Sequence, residues 1–220
     1  MKQTKETMLR AALRLFAQRG YEAVSISDIA AALGMAKSAL YKHYASKQAI
    51  FDEIVARMEQ QDAQSAHENG VPEEPYAQDG ASYGKTTARD VAAFARAQFR
   101  YWTEDEFAAD FRRMLTLEQF ASEAMGAMYQ QYLGGGPLGY MEDLFREGMT
   151  CGVWKQDDPA LTALRFYAPM HLLYAIADAR GSEAACALLE KHLQRFMTEC
   201  ANESESDCAR GAAGEGYLHD

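Results

Sequence analysis

The stretch Ile26-Ser-Asp-Ile-Ala-Ala-Ala-Leu-Gly-Met-Ala-Lys-Ser-Ala-Leu-Tyr-Lys-His-Tyr-Ala-Ser-Lys47 decides how this chain is read. Ser25 and Asp28 stand in the S-x-x-D arrangement of a capping box, so a helix starts there and buries Ile29, Ala30 and Leu33 before stopping at Gly34. Ala30 is small where two helices must cross, and Gly34 can take the positive φ of a tight turn at no steric cost. A second, short helix follows over about Ala36 to Lys42, pinned to a core by Met35 and Leu40. Lys37, Ser38, Ala39, Tyr41, Lys42 and His43 are then left facing outward. This is the shape of a helix-turn-helix, whose second helix lies in the major groove of DNA. The outward side chains are donors and small groups, which suits that groove: lysine matches guanine O6 and N7, and Ala39 matches a thymine methyl. Lys37, Ser38, Ala39 and Lys42 are therefore the candidates for reading base edges.

Working outward, an upstream helix is expected from about Thr4 to Arg19, with Leu9, Ala12, Leu13 and Phe16 on one buried face and Gly20 ending it. Downstream, Ser46 caps a helix that carries Ile50, Phe51, Ile54, Val55 and Met58 and fades near Asn69-Gly70. Residues 70–86 concentrate Gly, Pro and acidic side chains and read as a loop. Further helices are expected near 87–103, 105–116, 118–133, 137–150, 159–179 and 182–202. They are punctuated by Gly134-Gly135-Gly136-Pro137, by Asp158-Pro159 as N-cap and N1, and by Gly181-Ser182. The fold class is all-α. The expected division is a DNA-binding domain over 1–47, a helical ligand-binding and dimerisation domain over 48–203, and a disordered tail over 204–220.

The net charge of −10 conceals two regions. Residues 1–50 hold eight cations (Lys2, Lys5, Arg10, Arg14, Arg19, Lys37, Lys42, Lys47) against Glu6, Glu22 and Asp28, a net of +5, so the remainder carries −15. One basic end is left to meet a polyanion while the body is kept off it. No run approaches the roughly 18 apolar residues of a membrane span, and Met1 to Glu6 lead into no signal-type apolar segment, so a cytoplasmic chain with no membrane partner is expected. Cys151, Cys186, Cys200 and Cys208 lack zinc-site spacing and read as free thiols, with Cys200 or Cys208 as conceivable redox sensors. There is no G-x-S-x-G, P-loop, G-x-G-x-x-G after a strand, or H-E-x-x-H, so neither an enzyme nor a cofactor is expected, and no metal site.

These residues also resemble the DNA-binding domain of the TetR family of regulators. Three signs carry the likeness: Ala-Ala-x-x-Leu-Phe-Ala-x-x-Gly-Tyr ending at Gly20-Tyr21, Ser-Ile-x-Asp-Ile-Ala from Ser25 to Ala30, and Leu-Tyr-x-His-Tyr-x-Ser-Lys from Leu40 to Lys47. The resemblance implies a homodimer with a helical ligand-binding domain and ligand-controlled repression of a palindromic DNA operator. It places Tyr41, His43 and Lys47 at phosphate-contact positions, with Ser25 or Ser27 contacting phosphate from the start of the preceding helix. An architectural DNA-binding protein on the same scaffold, with no inducer, is the alternative.

The remaining chain is rich in aromatic and Met residues. Met fills irregular space and Tyr or Trp brings a polar tip to an apolar wall, so a cavity for a small apolar or aromatic effector is expected. Trp102, Phe111, Met114, Tyr129, Phe145, Met149 and Met170 are the candidate lining, with Glu118 or His171 as a polar anchor. Apolar stripes on the last two helices (Leu164, Tyr167, Leu173, Tyr174, Ala177; Leu188, Leu189, Leu193, Phe196, Met197, Cys200) point to a four-helix dimer interface built from 159–179 and 182–202.

Overall fold

The computed structural model describes residues 5–68 and 86–202, the side chains of 65–68 excepted. The expected tail, Cys208 and all but the last residue of the 70–86 loop lie outside the described residues. Among the described residues ten helices follow in order: α1 (Lys5–Arg19), α2 (Ile26–Ala32), α3 (Lys37–Tyr41), α4 (Lys47–Glu68), α5 (Ala88–Glu104), α6 (Glu106–Glu118), α7 (Glu123–Leu133), α8 (Gly135–Thr150), α9 (Pro159–Arg180) and α10 (Ser182–Cys200). Among the described residues no strand occurs, and β pairing is limited to an isolated bridge between Trp154 and Ala201.

Two boundaries differ from the sequence reading. The break expected near residue 117 falls at 119–122, because Ser122 accepts from the backbone N–H of Met125 (3.2 Å) and caps α7, leaving Glu118 as the last residue of α6. Only Gly134 of the glycine run breaks the chain. Gly135, Gly136 and Pro137 form the first turn of α8, where N–H groups have no helical partner and proline is tolerated.

The chain divides into two compact units. The first comprises Met1–Val71 and Gln98–Pro137. Here α1 packs on α6: Met8, Leu9, Leu13 and Phe16 are buried on one helix, and Phe107, Ala108, Phe111 and Leu115 on the other. Complete burial of a phenylalanine such as Phe16 contributes about 1.5–3 kcal/mol. That outweighs the surrounding ion pairs, in which Glu6 takes both Arg10 and Arg57; exposed pairs contribute about 0–1 kcal/mol. Arg57 also lies over the Phe107 ring, 4.8 Å from its centroid.

The second unit comprises Pro72–Ala97 and Leu138–Asp220. Asp158 caps α9 through the N–H groups of Ala160 and Leu161, with Pro159 behind it, as expected from sequence. The α9–α10 hairpin turns at Gly181, whose φ is +90°. Phe145, Trp154, Phe166 and Phe196 form its aromatic core, with Phe145 4.9 Å from Trp154 and Phe166 5.0 Å from Phe196. Gly148 lets Trp154 seat against α8: a Cβ there would lie 2.4 Å from the indole. Arg96 of α5 donates to both carboxylate oxygens of Glu190 on α10 (2.6 and 3.0 Å).

Candidate nucleic-acid interface

α2 begins as the sequence requires. The Ser25 hydroxyl oxygen accepts from the Asp28 N–H (3.2 Å), and the Asp28 carboxylate accepts from the Ser25 N–H (2.8 Å), completing the capping box. The hydrogen bonds from Ser25, with Arg19 beside it, lower the Asp28 pKa to about 2. Because its hydroxyl also donates to Asp28, Ser25 is committed to the cap, whereas Ser27 is exposed one residue on.

The turn uses Gly34 at φ +63°, and the Met35 N–H bonds back to the Ala30 carbonyl (3.0 Å). α3 is then five residues long and buries a single side chain, Leu40, completely. Such a short helix cannot persist alone, so this anchor and the turn hold it in place. Lys37, Ser38, Tyr41, Lys42 and His43 are exposed, and Ala39 is half-buried. Lys37 lies 5.8 Å from the Tyr41 ring centroid. Among the described residues neither Lys37 nor Lys42 forms an ion pair, whereas Lys5, Arg10 and Arg19 each have a carboxylate partner. The cations of residues 5–47 that form no ion pair thus include Lys37 at the start of α3 and Lys42 at its C-cap. Tyr44, by contrast, is buried, and burial together with Glu53 pushes its hydroxyl up to about 12.

Lys47 differs from the α3 lysines. Its ammonium donates to the Tyr21 carbonyl (2.8 Å), lies 4.0 Å from the Tyr21 ring centroid and comes within 3.8 Å of Glu22. It stands at the first turn of α4, where Ser46 accepts from the Ala49 N–H (3.0 Å) as cap.

The candidate effector residues divide between the units. Trp102, Phe111 and Met114 are buried and Tyr129 half-buried in the first; Phe145, Met149 and Met170 are buried in the second, where Phe145 is packed against three rings. His171 is exposed on α9 between Tyr167 and Tyr174, and desolvation holds its pKa below the ordinary value. Glu118 is buried, and its carboxylate accepts from the Tyr21 backbone N–H (2.8 Å). That bond ties the end of α6 to the residue that follows α1 and Gly20. Phe120, in the turn between α6 and α7, is 91% exposed.

One polar residue went unnoticed in the sequence. Asp62 of α4 lies one turn beyond the buried Met58, bonded to the Gln98 side chain, and its desolvation raises its pKa. Asp62 in turn raises Tyr101 and Tyr132, both also raised by burial, Tyr132 to about 12. The Tyr132 ring packs edge-on against Phe111 (5.1 Å) and Trp102 (6.4 Å). The available signal was an aspartate placed on the apolar stripe of an amphipathic helix, a position that hydrophobic counting passes over.

Burial pushes the Cys200 thiol up, opposite to the lowered pKa of a reactive thiolate. Among the described residues no group of three or more His, Cys, Asp or Glu has the arrangement of a metal site, and no helix is long and apolar enough to cross a membrane.

Residues 8–54 match the family model of bacterial regulatory proteins, tetR family. The same region is 40% identical over 50 residues to the HTH-type transcriptional regulator YerO of Bacillus subtilis, covering 23% of this chain and 17% of that protein. The match therefore spans about a sixth of that relative's length. The HTH-type regulator YhgD of the same organism is 27% identical over 164 residues, which is 72% of this chain and 76% of that one. Among solved structures, the complex of SmeT with triclosan aligns with a TM-score of 0.64 at 19% identity over 98% of this chain and 97% of that chain. SmeT is the repressor of a multidrug efflux pump of Stenotrophomonas maltophilia. At that identity the likeness is one of fold.

Proposed function

The chain belongs, through its amino-terminal residues, to the TetR family of bacterial transcriptional regulators, and from that premise we propose that it is a repressor whose homodimer grips a palindromic operator with two copies of α3. The observation that carries this reading is the outward face of α3 and of the turn that follows it: Lys37, Ser38 and Tyr41 exposed on a helix anchored by Leu40, with Lys42 and His43 exposed just beyond its end. In this reading Lys37, Ser38, Ala39 and Lys42 meet base edges. Tyr41, His43, Ser27 and Lys47 meet phosphates, and Ser25 serves by holding the first turn of α2.

The α9–α10 hairpin supports the dimer. Leu161, Leu164, Leu172 and Leu188 are exposed, Leu172 by 66%, and Ala168, Ala175 and Ala179 continue the same outward stripe of α9. The stripes read from sequence divide in the structure: Leu164 and Leu188 face out, while Leu173, Tyr174, Leu189, Leu193, Phe196 and Cys200 are buried within the hairpin. Exposed leucines in helical register suit a partner hairpin.

Release by a small apolar or aromatic effector completes the proposal. SmeT, which shares the fold, has been solved as a complex with triclosan. Asp62, Tyr101 and Tyr132 add polar groups to the apolar candidates Trp102, Phe111 and Met114. A coupling of about 1–3 kcal/mol is enough to weaken operator binding roughly 5- to 150-fold.

The test is capture of genomic DNA fragments by the purified protein, followed by titration of a recovered fragment against salt. Contact with six to eight phosphates gives a log–log slope of roughly −5 to −7. Replacing Tyr41 and Lys47 together by alanine abolishes retention. A slope near zero, or retention that survives both substitutions, overturns the DNA-binding reading.

A further inference from the structure

We infer that Glu118 is a positioning residue for DNA binding: from the end of α6 its buried carboxylate holds Tyr21, and through Tyr21 it holds the Lys47 ammonium at the start of α4. The inference rests on the proposed contact between Lys47 and a phosphate.

The geometry begins with the end of α1. The Gly20 N–H closes the helix on the Phe16 carbonyl (2.9 Å), and Gly20 then turns the chain at φ +83°. Tyr21 follows, buried, with an N–H that the helix no longer engages. A buried N–H without a partner costs about 1–3 kcal/mol. Glu118, 97 residues away in sequence and only 7% exposed, supplies the acceptor at 2.8 Å. It reaches that N–H across Gly20: a Cβ at residue 20 would lie 2.5 Å from the same carboxylate oxygen. Gly20 thus serves both the turn and the approach of the carboxylate.

The other side of Tyr21 is held by Lys47, which also comes within 3.8 Å of the exposed Glu22 carboxylate. Its ammonium caps the Tyr21 carbonyl at 2.8 Å and sits over the Tyr21 ring at 4.0 Å, and the ring is fixed in turn by Phe16 (5.2 Å), Phe51 (5.1 Å) and a hydroxyl donated to Gln48 (2.8 Å). Residue 21 therefore carries Glu118 on its N–H and Lys47 on its carbonyl and ring. An ammonium has three N–H donors, and the Lys47 side chain is 22% exposed, so the Tyr21 bond leaves donor capacity directed toward solvent. Held this way, Lys47 presents a fixed charge to a phosphate beside the N-terminus of α4 instead of sampling many rotamers.

The test is a double-mutant cycle on the full chain, using a 40-base-pair random-sequence duplex in low salt so that phosphate contacts are read without an operator. Lys47→Ala weakens binding about tenfold and flattens the salt dependence by about one unit for each lysine lost. Glu118→Leu, which keeps volume and removes the acceptor, weakens binding about fivefold alone and adds nothing in the Lys47→Ala background. Glu118→Gln retains an acceptor and restores binding to within about twofold of the parent, since a neutral hydrogen bond is weaker than a charge-assisted one. If Glu118→Leu does not fold, the same cycle is run with Glu118→Gln, whose twofold loss vanishes without Lys47. Additive losses, which a merely structural role produces, overturn the inference, as does unchanged binding in Glu118→Leu while Tyr21 amide exchange accelerates. If the parent protein binds no duplex at all, the DNA-binding reading falls and this inference with it; additive losses with normal parental binding remove the inference alone.

Discussion

The recognition helix α3 and the α9–α10 hairpin are the two parts of the molecule with the most distinctive outward faces, and their chemistry is opposite. α3 is five residues long, is anchored by Leu40 and, with its C-cap Lys42, exposes hydrogen-bond donors, Lys37 and Lys42 being without ion pairs among the described residues. α9 and α10 are 22 and 19 residues long, bury Phe166 and Phe196 against Phe145 and Trp154, and expose leucines and alanines. A face of donors on a minimal helix is stable only because water solvates it, and it suits a polyanion. A face of leucines is poorly served by water and suits another apolar surface. On the proposed reading the chain separates a polar contact, adjustable by salt, from an apolar one that salt leaves largely intact.

The sharpest way to break this contrast is to charge the apolar face. Leu164→Asp combined with Leu172→Asp converts the dimer to a monomer in sedimentation analysis, and because one head then acts alone, operator affinity falls by more than about 100-fold. A dimer that survives both substitutions places the partner surface elsewhere. On the other side, Leu40→Ala removes the anchor of α3. A fully buried leucine costs about 2–5 kcal/mol on truncation, so thermal unfolding of the head shifts down and DNA retention is lost with it.

Smaller effects sharpen the picture. Ser25→Ala deletes the cap of α2 and lowers stability by about 1 kcal/mol in urea unfolding. The partner carboxylate adds a pH signature. Asp28 has a folded pKa of about 2, below its ordinary 3.8, so its contribution is fully present above pH 3.8 and fades as the pH falls toward 2. Asp28→Asn removes that slope, which acid titration of the unfolding midpoint checks. Asp62→Asn is expected to act with the opposite sign. Burial raises the Asp62 pKa, so the carboxylate costs stability near neutrality, and the cost disappears as the pH falls through the folded pKa toward the unfolded value. The variant is more stable than the parent at pH 7, the gain vanishes on acidification, and neither outward face changes. A loss at pH 7 instead assigns Asp62 to a hydrogen-bond network the fold depends on.

Local signals made much of the fold legible. The capping box at Ser25 and Asp28, the positive φ of Gly34, the Ser46 cap and the Asp158-Pro159 start of α9 all act within four residues, and the structure holds each as read. The exposed face of α3 was legible for the same reason: in so short a helix the position of Leu40 fixes which side is buried. What failed depended on distance. Glu118 read as the start of a helix; in the fold it ends α6 and meets Tyr21, and no neighbour in sequence announces that bond. Lys47 read as a phosphate contact at the start of a helix, and nothing local announced that its ammonium is strapped to Tyr21. The apolar stripes of α9 and α10 contain enough leucine for two faces, and periodicity could not say which face the hairpin uses itself.

By itself the order of residues determined an all-helical chain with a basic helix-turn-helix at one end, because caps, glycine turns and helical periodicity are short-range physics. Only the assembled molecule decided which charges are spent and which remain available. That choice rests on distances between residues far apart in the chain, and a buried carboxylate is tolerated only where the fold brings it a donor.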